Sequence, residues 1–248
     1  MAKKFKHLLI ILLTSFIVVG FTICVLVYNG IILLNNPSEN EYPVRGVDVS
    51  SYQGEIDWEI LSKENIDFAF IKATEGSAHT DKYFDSNFKN ALKTNLAVGA
   101  YHFFSFDSAG KTQAEHFISV VPKTNGMLPP VVDVEFYADK EKNPPSKELV
   151  IKELNAIINI LENHYGVKPI IYTTEKAYNL YINEAFDDYD LWIRNVISKP
   201  NKNITGWKFW QYTNRKRLNG YKGEEKFIDL NVFNGTRKEF SAYATVGE

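Results

Sequence analysis

Two carboxylic acids one residue apart, Asp133 and Glu135, close the run Leu128-Pro129-Pro130-Val131-Val132-Asp133-Val134-Glu135. The prolines break whatever precedes them. The short apolar, β-branched run that follows reads as a buried strand of a parallel sheet. Side chains alternate across a strand, so both acids fall on one face while Val134 points away. They sit roughly 6–7 Å apart along that face. Two like charges so placed are costly unless they share a proton or bind a ligand. The arrangement suits a reaction that needs one protonated and one ionised carboxyl. Taken alone, the pair equally fits a helix cap beside a solvated strand-end acid. The rest of the chain has to decide.

Acids at a strand end need a sheet to hold them. Short apolar runs recur at 46–49, 68–72, 97–104, 130–135, 169–172, 191–193, 208–212 and 227–230. Helical patterns lie between the earlier ones, at 58–63, 84–94, 109–121 and 146–165. The last carries Leu149, Val150, Leu154, Ile157, Ile158 and Leu161 at amphipathic spacing, with Ser146 placed to cap it and Gly166 to stop it. Alternating strands and helices predict βαβ units and a parallel sheet, and eight strands predict a closed barrel. The last three connections are too short or too polar for good helices, so the predicted fold is an irregular (β/α)8-type barrel over residues 44–248.

Such barrels place their chemistry at the C-terminal ends of the strands. Those ends carry Asp48, Glu75, His102, Asp133 with Glu135, Tyr172, Trp192, Trp210 with Gln211, and Asp229. Nearly every strand delivers an acid, an aromatic or a hydrogen-bonding group to that edge. Each also has a plain structural explanation: Asp48 as a turn cap, Glu75 as a loop acid, His102 as a core histidine, the tryptophans as packing, Asp229 as a strand-end acid.

The ordered set of motifs resembles glycoside hydrolase family 25, the muramidase-type lysozymes. The opening segments are Gly46-Val47-Asp48-Val49-Ser50 with Tyr52-Gln53-Gly54, and Phe70-Ile71-Lys72-Ala73-Thr74-Glu75-Gly76 with Asp81. Later segments follow in the same order: Ala100-Tyr101-His102-Phe103-Phe104, Val132-Asp133-Val134-Glu135, Ile171-Tyr172-Thr173, Leu191-Trp192-Ile193, Trp210-Gln211-Tyr212 and Ile228-Asp229-Leu230-Asn231. The resemblance implies hydrolysis of the β-1,4 bond between N-acetylmuramic acid and N-acetylglucosamine in peptidoglycan. It implies Glu135 as proton donor, with Asp48, Asp133 and Asp229 as the other acids. Glu75, Tyr101, His102, Tyr172, Trp192, Trp210 and Gln211 are then expected to contact the glycan. Three places depart from the family pattern: Asn65 where glycine is common, His79 where an aromatic or leucine is usual, and Arg194-Asn195 where a small residue and an aromatic are usual.

Glycosidic cleavage passes through an oxocarbenium-like state, which explains the demand for an acid together with ionised carboxylates. Direct displacement, inversion and attack by the substrate's own acetamido oxygen all remain open, the last slightly preferred with Asp133 orienting that group. A hydrolase of another N-acetylglucosamine polymer and a non-catalytic wall-binding domain stand as alternatives. A metal-dependent hydrolase would need a ligand cluster. His102 is the only histidine at a strand end, so no metal and no cofactor are expected.

Composition bounds the rest. The 248 residues are 45% hydrophobic and 14% aromatic, enough for one large core. The net charge of −2 gives no basic footprint for nucleic acid. Cys24 stands alone, so no internal disulfide forms. Residues 8–34 are uncharged and mostly apolar and follow Lys3, Lys4 and Lys6. That length exceeds the roughly 20 residues needed to cross a bilayer. The expectation is a single-pass membrane anchor over 1–34 with the body outside, the alternative being a cleaved signal and secretion. A polar tether over 35–43 and a monomeric body complete the sequence-based picture.

Overall fold

The computed structural model describes residues 2–243 and 245–247. Eight strands close a barrel: β1 (Arg45–Val49), β2 (Phe68–Glu75), β4 (Ala97–Phe103), β5 (Val131–Val134), β6 (Ile170–Thr174), β7 (Leu191–Arg194), β8 (Trp207–Lys216) and β9 (Ile228–Phe233). The two-residue strand β3 (His79–Thr80) folds back on β2. Around the wall the order is β1-β9-β8-β7-β6-β5-β4-β2, and the parallel pairing of β1 with β2 closes the ring. Helices α2 (Trp58–Leu61), α3 (Phe84–Ala91), α4 (Gly110–Val120) and α5 (Lys147–Tyr165) occupy the connections of the first half. Ser146 caps α5 through Leu149 N, and Gly166 ends it in the left-handed conformation at φ 79°. Among the described residues, the second half has only the short α6 (Glu175–Ala177), a π-helical turn at Tyr178–Ile182, and α7 (Arg237–Ser241).

One strand runs against the all-parallel expectation. β9 is antiparallel to both β1 and β8. The 11 residues between β8 and β9 form no helix. A parallel return needs a crossover of a dozen or more residues, usually helical, whereas a short polar connection brings the chain back as a hairpin. Asp229 therefore stands at the start of its strand, not at the C-terminal end. Reversal of β9 still delivers it to the rim where the parallel strands end.

Strand alternation splits the core in two. Val47, Val49, Ala69, Ile71, Val98, Ala100, Val132, Val134, Ile171 and Ile193 face the helices, where Phe117, Leu154, Ile158 and Leu161 cover them. Phe68, Phe70, Val131, Ile170, Trp192, Phe209 and Phe233 face inward and plug the barrel. Burying each phenylalanine contributes about 1.5–3 kcal/mol. The plug requires bare backbone opposite it. A Cβ on Gly46 would reach the Phe68 ring at 2.4 Å, and one on Gly99 the Phe70 ring at 2.6 Å. With the lower half filled by aromatics, only the rim at the ends of the parallel strands is left open.

At the N-terminus, α1 (Ala2–Tyr28) is long and apolar enough to cross a membrane, and none of its apolar window is buried. Residues 35–43 do not hang free. Tyr42 is only 3% exposed, packed edge-on to Trp210 at 5.8 Å and tilted against Trp207 at 6.2 Å. The Arg45 guanidinium binds the Pro37 carbonyl. An aromatic against two tryptophans gains enough buried area to pin an otherwise polar segment to the barrel wall.

Candidate active site

A cleft of about 550 Å³ opens at the rim. Asp48, Asp133, Glu135 and Asp229 all line it, as do Glu75, Tyr101, Tyr172, Trp192 and Gln211. Backbone pairing explains the convergence. Asp48 of β1 and Asp229 of β9 are direct register partners, and Asp133 of β5 lies opposite Tyr172 of β6.

A relay of fixed hydrogen bonds ends on Asp48. The Tyr172 hydroxyl donates to Gln211 Oε1 at 3.1 Å, and Trp192 Nε1 donates to Asn231 Oδ1 at 2.8 Å. Each aromatic thereby holds an amide oxygen and turns the amide nitrogen the other way. Gln211 Nε2 then donates to Asp48 Oδ1 at 2.9 Å and Oδ2 at 3.0 Å, and reaches Asp229 Oδ2 at 3.2 Å. Asn231 Nδ2 donates to Asp48 Oδ1 at 2.7 Å. Burial pushes the Asp48 carboxyl above its ordinary value, while the Asn231, Gln211 and Asp229 hydrogen bonds pull it back. Asp229 is pushed well above its ordinary value by burial first and the Asp48 charge second. The two carboxyls are register partners that resist ionising together, and burial raises both.

The other pair is held differently. Burial and then the Glu135 charge push Asp133 well above the usual carboxylate range. Its Oδ1 is buried with no hydrogen-bond partner. Glu135 is also raised, by burial first and by the Asp48 charge, against the opposing charges of Arg194 and Lys72. Lys72 itself is tied to Glu75 at 2.7 Å and lies over the Phe103 ring at 4.8 Å. The rim thus offers a carboxyl raised by burial, Glu135, opposite one fixed by two oriented amides, Asp48.

Ionising Asp133 strands a charge in a dry wall. An acid whose folded value lies above its unfolded one adds stability below the unfolded pKa and loses it as pH rises through the folded value. Asp133→Asn removes that loss. We expect the variant's melting temperature to exceed wild type by about 2–4 °C at pH 7.5 for each kcal/mol recovered, the gap closing at pH 4. Thermal melts at the two pH values check this; a gap equal at both refutes it.

Two residues expected at the rim face elsewhere. His102 is fully buried on the helix side of β4. Its Nδ1 accepts from Thr74 Oγ1 at 2.7 Å and its Nε2 donates to Gln113 Oε1 at 3.0 Å. Burial lowers its pKa to about 4, so it is a neutral tie between β4 and α4. Trp210 points outward too, its indole nitrogen donating to the Asn195 carbonyl at 2.8 Å. Neighbours on a strand face opposite ways, so Tyr101 and Gln211 exclude His102 and Trp210 from the cleft.

The same alternation reveals cleft groups that strand-end reading passed over. Arg194 is two residues beyond Trp192, Asn231 two beyond Asp229, and Phe103 two beyond Tyr101; Arg194 and Phe103 line the cleft, and Asn231 sits behind Asp48. Asn214 comes from β8, and Tyr52, Gln53, Tyr137, Glu225 and Phe227 from the connections between strands. Gln53 closes a capping box with Ser50 and donates to the Phe227 carbonyl at 3.0 Å. Asp81 is no part of the cleft wall: it accepts from Ser51 N at 2.7 Å and steadies the loop after β1.

Comparison with known proteins gives a consistent result. The model of glycosyl hydrolases family 25 matches residues 47–221. A solved family 25 glycosyl hydrolase from Bacillus anthracis is 57% identical, spans 85% of this chain and 97% of its own, and superposes with a TM-score of 0.80. The uncharacterized protein YegX of Escherichia coli K12 is 34% identical over 208 residues, 82% of this chain and 74% of its own length. Lysozyme M1 of Streptomyces globisporus is 32% identical over 218 residues, 81% of this chain and 71% of its own.

Proposed function

The chain belongs to glycosyl hydrolases family 25, and from that premise we propose how its rim carboxyls act on a glycan. The protein is a glycoside hydrolase, a muramidase of peptidoglycan, as its lysozyme relatives are. Glu135 is the proton donor to the leaving glycosidic oxygen. Asp48, held ionised by two oriented amides and by protonated Asp229, stabilises the positive charge that develops on the sugar ring. Asp133 takes the substrate's acetamido group: its carboxyl lines the cleft beside Glu135, accepts the amide N–H and turns the acetamido oxygen toward the anomeric carbon. Tyr101 supplies a flat face at the rim against which a sugar ring packs, above a floor formed by Tyr172 and Trp192. One chain carries the whole acid set, which fits a monomer.

The single observation behind this reading is the convergence of four acids, Asp48 and Asp133 buried and Glu135 and Asp229 half-buried, from β1, the end of β5 and β9 on one cleft. Mass spectrometry of fragments released from purified peptidoglycan by the barrel domain tests the substrate. We expect N-acetylmuramic acid at every new reducing end. N-acetylglucosamine there would make the enzyme a glucosaminidase.

The α1 helix is read as an uncleaved anchor, supported by the apolar span Lys3–Tyr28, which opens on Lys3, Lys4 and Lys6. Residues 1–34 then hold the barrel domain, 44–248, outside the membrane by way of 35–43. Full-length protein should sediment with membranes at undiminished mass and expose the barrel to external protease. A soluble mature form beginning after residue 30 would rule the anchor out.

A further inference from the structure

The end of α1 meets the barrel at a particular place. The Arg215 guanidinium lies over the Tyr28 ring at 5.1 Å and over the Phe227 ring at 5.1 Å. Gly30, at φ 69°, approaches the Arg215 carbonyl so closely that a Cβ would come within 1.8 Å of it. Further on, Asn35 Nδ2 donates to the Asn195 carbonyl at 3.3 Å. Arg215 is the penultimate residue of β8, Asn195 follows β7, and Phe227 lines the cleft. All belong to the rim where the cleft opens. The helix leaves the barrel beside the cleft, not from the plugged end.

That side has the chemistry of a membrane-facing surface. Residues 215–227 carry five cations, Arg215, Lys216, Arg217, Lys222 and Lys226, against Glu224 and Glu225, although the whole chain is −2. Arg217 covers the Phe227 ring at 5.2 Å, and Ile31, Leu34 and Ile197 are exposed nearby. Tyr28 ends α1, where tyrosines mark the membrane–water interface. A guanidinium stacked on it lies at headgroup depth.

Resting on the reading of α1 as an anchor, we propose that the rim bearing Arg215, Arg217, Lys222 and Lys226 docks on anionic lipid headgroups. The cleft then opens at the membrane surface and takes glycan strands that run along it. Basic clusters next to a membrane helix bind anionic lipid in this way, and the attraction decays within a Debye length. With 35–43 pinned by Tyr42 and Arg45, the barrel has no slack to turn over.

The test uses the full chain, with Cys24→Ser, in vesicles of phosphatidylcholine with and without phosphatidylglycerol. A fluorophore is placed on Lys222→Cys at the rim or on Lys93→Cys at the far end, and quenched by a headgroup nitroxide. In anionic vesicles, quenching at 222 should exceed that at 93 by about threefold or more, and salt near 1 M should shrink the difference. Arg215→Gln with Arg217→Gln should shrink it likewise, while hydrolysis of soluble glycan fragments stays at the wild-type rate. Equal quenching at both sites in protein that floats with the vesicles overturns rim docking and leaves the anchor standing. Equal contrast in neutral vesicles overturns the anionic headgroup as partner. A chain that loses its first 30 residues before reaching the membrane overturns the anchor and this proposal with it.

Discussion

Glu135→Gln will cut turnover on peptidoglycan by about 10²–10⁴-fold, the range a general acid supplies. Glutamine keeps the shape and removes the transferable proton. Glu135 is held above its ordinary pKa by burial and by Asp48, so the neutral amide costs the fold nothing and relieves repulsion toward Asp133. Glycan binding should persist, because Tyr101, Tyr172 and Trp192 are untouched. The loss should appear in kcat, with an unchanged thermal melt. A glycoside whose aryl leaving group departs without protonation should recover much of the glycosidic step. A wall-binding domain without catalysis would show none of these effects.

Asp48→Asn should cost on the order of 10²-fold in turnover, since it removes a preorganised charge facing the developing cation. Asp229→Asn should cost far less, under about tenfold by the same reasoning. The difference follows from the hydrogen bonds. An amide at 229 still donates to Asp48, as the protonated acid does. An amide at 48 loses the charge; its oxygen can keep the Oδ1 bonds from Asn231 and Gln211, but its nitrogen then faces the Gln211 donor in place of Oδ2, a buried mismatch of about 1–3 kcal/mol. Kinetics on purified peptidoglycan, paired with thermal melts, separate the two effects. Equal losses at both positions would mean that Asp229 works as an ionised group, and near-normal rates at both would remove Asp48 from the chemistry.

Much of this was legible before any coordinates. The recurring apolar runs predict eight strands, and eight strands close. Ser146 and Gly166 bound α5 where local capping chemistry puts them. The four acids fall at strand ends, and the rim collects them. What escaped depended on the partner across the sheet. The reversal of β9 follows from a connection without a helix, which apolar periodicity within the strand does not register. Strand ends alone group His102 with Tyr101 and Trp210 with Gln211, although adjacent residues cannot share a strand face. Strict use of the two-residue period would have sent both outward and brought in Arg194 and Asn231. Tyr42 lies in a polar, proline-flanked stretch, and only Trp207 and Trp210, far along the chain, explain its burial.

The pH dependence of kcat/KM bears most directly on Glu135 as the acid, because it reports the ionisation of the free enzyme. Burial raises Glu135, so its acid form survives above the roughly 4.3 of a free glutamate. In the wild type, kcat/KM on peptidoglycan should fall on the alkaline side as that proton is lost. In Glu135→Gln that limb should disappear along with most of the rate. A variant that digests peptidoglycan at the wild-type rate with the alkaline limb intact would show that the proton comes from another group.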